Sequence, residues 1–432
     1  MIPAPRLLML LACWLASAVV ASLYPELAPL WKGFGVAIAL LAGADATLRR
    51  VKPAFLREVD GSMSLGVWSE VKLNFHNQSR SKLQLEVFDC YPPQVATRSM
   101  PTRVSIGPRE WAKIRYEIRP IKRGELCFSP AQARIRSHLG LWWQTVTLGD
   151  IQCIKVYPNF AAIANYALLA IDNRLSALGV RLRQRRGEGT EFNQLREYRG
   201  GDSLRQIDWK ATSRLEKLIS REYQDERDQQ IVFLIDCGRR MRAKDGDLGH
   251  FDHALNAVLL LAYVALRQGD AVGLMGFAGD SRFLPPAKGT HHINRILETV
   301  YDMQTGMQNP DYASATADLL KRLNKRSLII MVTNLRDEDN EELLPSLGLL
   351  RRKNLVLLAS LREGILRDTL DRPIERFEDA LTYSASLIYL AERRKSHEAI
   401  QASGAQFMDV EPEALPLALV NRYLEIKRSG SL

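Results

Sequence analysis

At 432 residues the chain is too long to organise around one ordinary hydrophobic core, so two or three domains are expected. A formal net charge of +10 admits nucleic acid or anionic lipid as partners without choosing between them. Five cysteines, Cys13, Cys90, Cys127, Cys153 and Cys237, form an odd, scattered set with no metal-ligand spacing and no disulfide framework, which fits a reducing compartment.

Leu7 to Leu23 is an uncharged apolar run of 17 residues, and Leu27 to Ala44 is one of 18 interrupted only by Lys32. Roughly 20 residues span a bilayer, and about 17 suffice. Tyr24-Pro25-Glu26 makes a tight connection, so the pair reads as a transmembrane hairpin in contact with lipid through residues 7–44. Lys32 can snorkel to the interface. Arg6 precedes the first run, while Arg49, Arg50 and Lys52 follow the second. The positive-inside rule then puts both termini and the soluble body in the cytoplasm, with the two spans in the inner membrane. A signal peptide cleaved after Ala16-Ser17-Ala18 is the rival reading. It is less favoured because a second apolar run flanked by basic residues follows at once.

From Val51 to about Tyr157, short alternating runs such as VKLNFHN, LQLEVFD, AKIRYEIRP and IKVYP are separated by turn residues. That pattern predicts an antiparallel β-sandwich. His76 and His138 are isolated in it and read as surface or packing histidines. Between Arg181 and Asp228, 22 of 48 residues are charged, 12 basic and 10 acidic, close to twice the chain average of 25%. The interleaved signs favour salt-bridged structure over a disordered tail. After this cassette the pattern becomes strand-helix alternation. QIVFLID, AVGLMGFAG, SLIIMVTN, NLVLLASL and AQFMDVE read as strands, with helices at 251–268, 293–303, 312–323, 341–352, 377–403 and 412–427. The order predicts a mostly parallel, doubly wound α/β sheet. The expected organisation is a hairpin at 1–48, a β-sandwich-like domain at 49–160, the connecting cassette at 161–229 and the α/β domain at 230–432.

In doubly wound sheets ligands bind beyond the carboxyl ends of the strands, where Asp236 falls. The order resembles the von Willebrand factor A fold, whose metal-ion-dependent adhesion site begins with Asp-x-Ser-x-Ser at this position. Here the run is Asp236-Cys237-Gly238-Arg239-Arg240. Gly238 offers no ligand, and Arg240 puts a permanent cation where an oxygen should be. Thr290 aligns loosely with the expected threonine, and Asn334 stands where a later loop would carry an aspartate. The site therefore reads as degenerate and metal-free, stabilised by an Asp236–Arg240 ion pair. Cys237 reads as a small buried hydrophobe.

Gly187-Glu188-Gly189, Glu191-Phe192, Leu195-Arg196, Tyr198, Gly201-Asp202, Arg205, Ile207-Asp208-Trp209, Arg214 and Arg221-Glu222, followed by the strand into Asp236, resemble the family called domain of unknown function 58. The match is specific over about 181–241, and from Gly279 onward it rests on element order alone. The resemblance implies a von Willebrand factor A-like domain, a membrane anchor and association with a MoxR-type AAA+ ATPase. It brings no defined reaction and no cofactor with it.

Within the cassette, Leu204, Ile207, Ala211 and Leu215 recur at helical spacing behind an expected N-cap, Asp202. Trp209 lies off that line, free to anchor the helix to the sandwich or to a partner. Gly187 and Gly189 permit tight turns or close backbone approach. Two readings stay open. In one the cassette is an interdomain clasp whose Glu191, Arg196, Asp202, Arg205, Asp208 and Arg214 satisfy one another. In the other it is a docking surface for the ATPase.

Asp208-Trp209-Lys210 with Glu191 and Asp202 superficially matches a metal-dependent nuclease. On a helix, however, Asp208 and Lys210 diverge, so this stays a remote alternative. Of the basic run Arg181, Arg183, Arg185 and Arg186, a solvated strand edge is the default reading, with lipid headgroups the alternative. His291-His292 reads as a surface pair. No Walker-type loop is present, so any ATP hydrolysis belongs to a partner. The combined expectation is a non-enzymatic, membrane-anchored adaptor or scaffold with no metal, no cofactor and no nucleic acid. The alternative is a divalent-cation-dependent protein-binding module.

Overall fold

A computed structural model describes residues 1–47, 52–159, 191–199, 204–224, 229–246 and 248–429. Of Pro25, residues 191–194, Arg205 and residues 222–224, only the backbone is described. The chain divides into two compact units, Met1–Tyr157 and Pro158–Leu432.

The first unit opens with two apolar helices, Pro5–Leu23 and Ala28–Thr47, each long and apolar enough to cross a membrane. Pro5 suits the first helical turn, where no N–H partner is needed. Trp14 and Trp31 stack with ring centroids 4.7 Å apart. Each indole N–H donates to the other residue's carbonyl at 3.0 Å. Gly35 makes room for this, since a Cβ there would lie 2.6 Å from the Trp14 ring. In the last turn of the second helix Asp45, fully buried, accepts from Ser137 Oγ, from Leu139 N–H (2.9 Å) and from Leu141 N–H (3.2 Å). Trp142 Nε1 donates to the Ala42 carbonyl at 2.8 Å. Ile2–Pro3 pairs with Trp142 and Trp143, so both ends of the helical pair meet the same sheet edge.

That edge belongs to a five-stranded sheet, accompanied by sheets of four and three strands. Period-two alternation buries one face of each strand, as in Ser69–His76, where Val71, Leu73 and Phe75 point inward. The expected strands form, paired antiparallel except that Ser62–Ser64 runs parallel to Gln152–Tyr157. A buried Arg57–Asp89 pair, joined by the Tyr116 hydroxyl, supplies polar glue inside this core. The cysteine expectation is corrected here: Cys127 and Cys153 are disulfide-bonded across neighbouring strands. Their separation of 26 residues gave no signal, because strand register brings them opposite one another.

In the second unit a six-stranded mixed α/β sheet runs Phe283–Ala287, Ala271–Phe277, Gln230–Asp236, Leu328–Thr333, Leu355–Leu361, Gln406–Val410. Its strands are parallel except Phe283–Ala287, an antiparallel edge absent from the sequence reading. Pro285 and Pro286 concealed it, and an edge is where a strand tolerates proline. Side chains alternate between two cores. Ile231, Phe233 and Ile235 face the helices His250–Arg267 and Leu415–Arg428, while Val232 and Leu234 face Tyr312–Arg322 and Asn340–Arg351. Burial on both faces is why these strands read as unbroken apolar runs. The helix Gly364–Asp371 was also unforeseen.

The cassette departs most from expectation. Glu191–Glu197 and Ile219–Gln224 form an antiparallel pair, and Leu204–Gln206 is a 3₁₀ turn. Ile207 bridges to Ser220, and the helix begins only at Trp209. Asp208, not Asp202, is its N-cap, accepting from Lys210 N–H and Ala211 N–H at 3.0 Å each.

Candidate functional site

Gln230–Asp236 is flanked by parallel strands on both sides, and its last residue emerges at the carboxyl edge of the sheet. Asp236 is fully buried. One carboxylate oxygen accepts from Gly238 N–H at 2.7 Å and the other from Thr333 Oγ1 at 2.7 Å. Thr333 Oγ1 in turn lies 3.1 Å from the buried Tyr312 hydroxyl. Burial pushes the Asp236 carboxyl up to about 6, against the pull of the Thr333 hydroxyl, the Gly238 N–H and the Arg240 charge.

Arg240 does not pair with Asp236, which corrects the expected ion pair. Its guanidinium binds Asp339 and Glu338 from the loop after Leu328–Thr333. Asp339 is itself nearly buried and accepts from Arg336 N–H at 2.9 Å. Two opposite charges withdrawn from water require such close pairing, and Asp339 presents the nearer acidic partner. Gly238 has a steric reason. A Cβ there would sit 2.8 Å from the Gln308 carbonyl and 2.9 Å from Asp236 Oδ1, so the serine of an adhesion site cannot enter without backbone movement.

Thr290 is an exposed turn residue after Phe283–Ala287. Ala287 pairs with Val272 at the start of a strand whose end, Phe277, pairs with Asp236. Five residues of strand, about 16 Å, separate the two positions, so Thr290 is no candidate ligand. Thr333 occupies that role in space. Register pairs Ile235 with Val332, which places Thr333 beside Asp236. The sequence reading gives the threonine role to Thr290 and reads Asn334 as the aspartate position, passing over Thr333.

Asn334 is buried and turned away, donating to Glu363 Oε1 at 2.9 Å and lying 3.4 Å from His250 Nδ1. His250 is fully buried and its Nε2 lies 3.0 Å from Asp245. Tyr312, Asp339 and His250 carry no shared signal in the sequence, because two helix starts and the turn at Asp337–Asp339, far apart in the chain, deliver them. His292 was expected at the surface but is buried, its Nε2 lying 2.9 Å from the Val272 carbonyl.

Arg239, Arg240, Arg242, Arg336, Met307 and Glu338 line, among others, a cavity of about 570 Å³. Arg240 is satisfied by its two acids, and Arg336 lies 3.7 Å from Glu363. Arg239 and Arg242 are exposed. Three exposed guanidiniums around one acidic rim residue give the cavity mouth a positive field.

In the cassette, Asp208 also accepts from Arg221 Nε at 2.9 Å, and this bond is the main cause holding its carboxyl below the usual range. Lys217 pairs with Glu197 at 3.0 Å, while Arg196 donates to the Glu197 carbonyl. Among the described side chains, these pairs bring in Arg221, Glu197 and Lys217, which stand outside the mutual set expected of Glu191, Arg196, Asp202, Arg205, Asp208 and Arg214. Asp208 diverges from Lys210 as a cap rather than as a helical neighbour. Tyr198 is half-buried, its N–H donating to the Leu218 carbonyl, and Arg214 is exposed. Leu204 and Trp209 stand 73% and 67% exposed, leaving an uncovered apolar surface on this element. Gly187, Gly189, Asp202 and the basic run at 181–186 lie outside the described residues, as do the side chains of Glu191 and Arg205.

Fold and site together define the class: two apolar N-terminal helices, a β-sheet region and a mixed α/β unit whose strand-end carboxylate is capped by its own protein groups. Residues 194–363 match the family described as "Protein of unknown function DUF58". A curated relative, the uncharacterized protein YeaD of Bacillus subtilis (strain 168), is 22% identical over 226 residues. These are 52% of this chain and 54% of the relative, so the chain spans about half the relative's length. Solved structures similar in part include the ASH / PapD-like domain of human CEP192 (14% identity, 24% of this chain, 84% of that one, TM-score 0.19). Others are a FixG-related protein from Vibrio parahaemolyticus (9%, 24%, 94%, 0.18) and Escherichia coli alpha-2-macroglobulin activated by porcine elastase (17%, 24%, 9%, 0.20).

Proposed function

We propose that this chain is a non-enzymatic adaptor anchored in the inner membrane by its two apolar helices, with its termini and body in the cytoplasm. Its α/β unit, of the doubly wound von Willebrand factor A type, engages a MoxR-type AAA+ ATPase or that ATPase's client. The observation that carries this reading is the arginine-rimmed cavity, built on residues that follow a carboxylate whose oxygens are both hydrogen-bonded. Asp236 has both oxygens in hydrogen bonds to Gly238 and Thr333, which leaves it poorly placed to hold a cation or move a proton. Arg239, Arg242 and Arg336 at the cavity mouth suit an acidic segment of a partner protein, since guanidinium forks pair with carboxylates in two-point geometry. The exposed Leu204 and Trp209 add a second surface on the cassette.

Co-purification from detergent-solubilised membranes tests the proposal. An AAA+ ATPase bearing Walker motifs should be recovered with the unaltered chain and lost, by ~10-fold or more, with Arg239→Glu/Arg242→Glu. Recovery of no such ATPase, or equal recovery after the charge reversal, contradicts it.

A further inference from the structure

The neighbouring strands Gly124–Phe128 and Gln152–Tyr157 bury Leu126, Phe128, Ile154 and Val156 on one face. Alternation therefore puts Glu125, Cys127 and Cys153 on the other, where all three are exposed. Cys127 and Cys153 are directly opposed in register, with Cα atoms 4.0 Å apart. Glu125, two residues before Cys127, flanks the pair on the same face, and the ligand atoms of the three residues lie within 4.8 Å of one another. Cysteine is among the most buried residue types, so two side by side on a solvent face ask for a chemical explanation. An exposed disulfide is open to thiol exchange and is reduced in compartments rich in thiols.

We propose that Cys127, Cys153 and Glu125 form a redox-gated site for a thiophilic divalent cation of the zinc class. In the oxidised state the sulfurs bond to each other and the site is closed. A dithiol reductant cleaves that bond, itself becoming a disulfide, and leaves two thiols. Cation capture then releases both thiol protons and forms two metal–thiolate bonds, with Glu125 as third ligand and water as fourth. Zn–S bonds of about 2.3 Å in tetrahedral geometry hold two sulfurs roughly 3.8 Å apart, a spacing that adjacent paired strands supply. Lys155, opposite Glu125 in register, is the competing cation for the carboxylate. The site does not rest on the adaptor reading.

The full-length protein in detergent, reduced and then freed of reductant without oxygen, is titrated with Zn²⁺ against a chromophoric chelator and with Co²⁺ in the near ultraviolet. The reduced protein should take up one equivalent more Zn²⁺ than the oxidised protein and develop a sulfur-to-cobalt charge-transfer band. Cys127→Ser and Cys153→Ser should each abolish both signals. Glu125→Gln should keep the band and weaken Zn²⁺ binding by ~10-fold or more, since even outer partners of metal ligands are worth that much. Equal uptake by reduced, oxidised and serine-substituted proteins, or a Co²⁺ complex without the thiolate band, overturns the proposal.

Discussion

Replacing Asp236 with asparagine removes a titration without removing bulk, and its consequence can be worked out from the site. The Asp236 carboxyl, ordinarily at 3.8, is pushed up to about 6 in the folded chain, chiefly by burial. A carboxyl raised on folding favours the protonated form in the native state. The stability contributed by this one group is therefore greatest below 3.8, falls as pH climbs from 3.8 towards 6, and is level above. At ~1.4 kcal/mol per pH unit the total loss is about 3 kcal/mol. Asp236→Asn has no such titration, so the stability of the unaltered chain relative to the variant should decline by up to about 3 kcal/mol across that window. Residues 230–432, which carry the six-stranded sheet, contain no tryptophan, so tryptophan fluorescence does not report directly on it. Amide hydrogen exchange in the peptide covering 230–241, corrected for intrinsic pH dependence, does. The protection ratio between the two proteins should change by about two orders of magnitude between pH 4 and 6.5. A ratio constant across that range would refute the burial argument.

Gly238→Ser forces a Cβ against the Gln308 carbonyl and should cost ~1–3 kcal/mol, seen as a lower unfolding midpoint of the α/β unit. An unchanged midpoint would mean that the loop at 308 moves freely. Arg240→Ala strands the nearly buried Asp339 and should destabilise by ~3–5 kcal/mol, with Arg240→Ala/Asp339→Ala recovering part of the loss in a double-mutant cycle. Additive single losses would dismiss the pair. Asp45→Ala leaves Ser137 Oγ and the Leu139 and Leu141 amides without their acceptor, so exchange at those amides should accelerate by an order of magnitude or more. Unaltered rates would show that the helical pair is not fastened there. Calorimetric titration with Mg²⁺ and Mn²⁺ should give no heat that Asp236→Ala removes, and a heat abolished by that change would revive the cation-dependent reading.

Much of this architecture is legible in sequence because long-wavelength patterns encode it. QIVFLID and SLIIMVTN announce strands buried on both faces, and VKLNFHN announces one buried on a single face. The helix His250–Arg267 begins one residue from its expected start. What escaped depends on contacts between distant segments. Asp236 is legible because it ends a strand. Its partner Thr333, however, ends another strand, Tyr312 behind Thr333 opens a helix, and the acids that hold Arg240 come from the turn after Thr333. Cys127 and Cys153 meet through strand register, which a spacing of 26 residues does not reveal. In the cassette, helical spacing misled because Ile207 is claimed by a bridge to Ser220, and tertiary pairing overrides local propensity.

The adaptor reading stands or falls on what meets the arginine-rimmed cavity in the cell. A photoreactive side chain placed at Met307, on the cavity wall, samples that contact directly in intact membranes. The expected product is a crosslinked AAA+ ATPase, joined through an acidic peptide and lost with Arg239→Glu/Arg242→Glu. Crosslinking that yields no AAA+ ATPase or its client, or a product indifferent to those charge reversals, would contradict it.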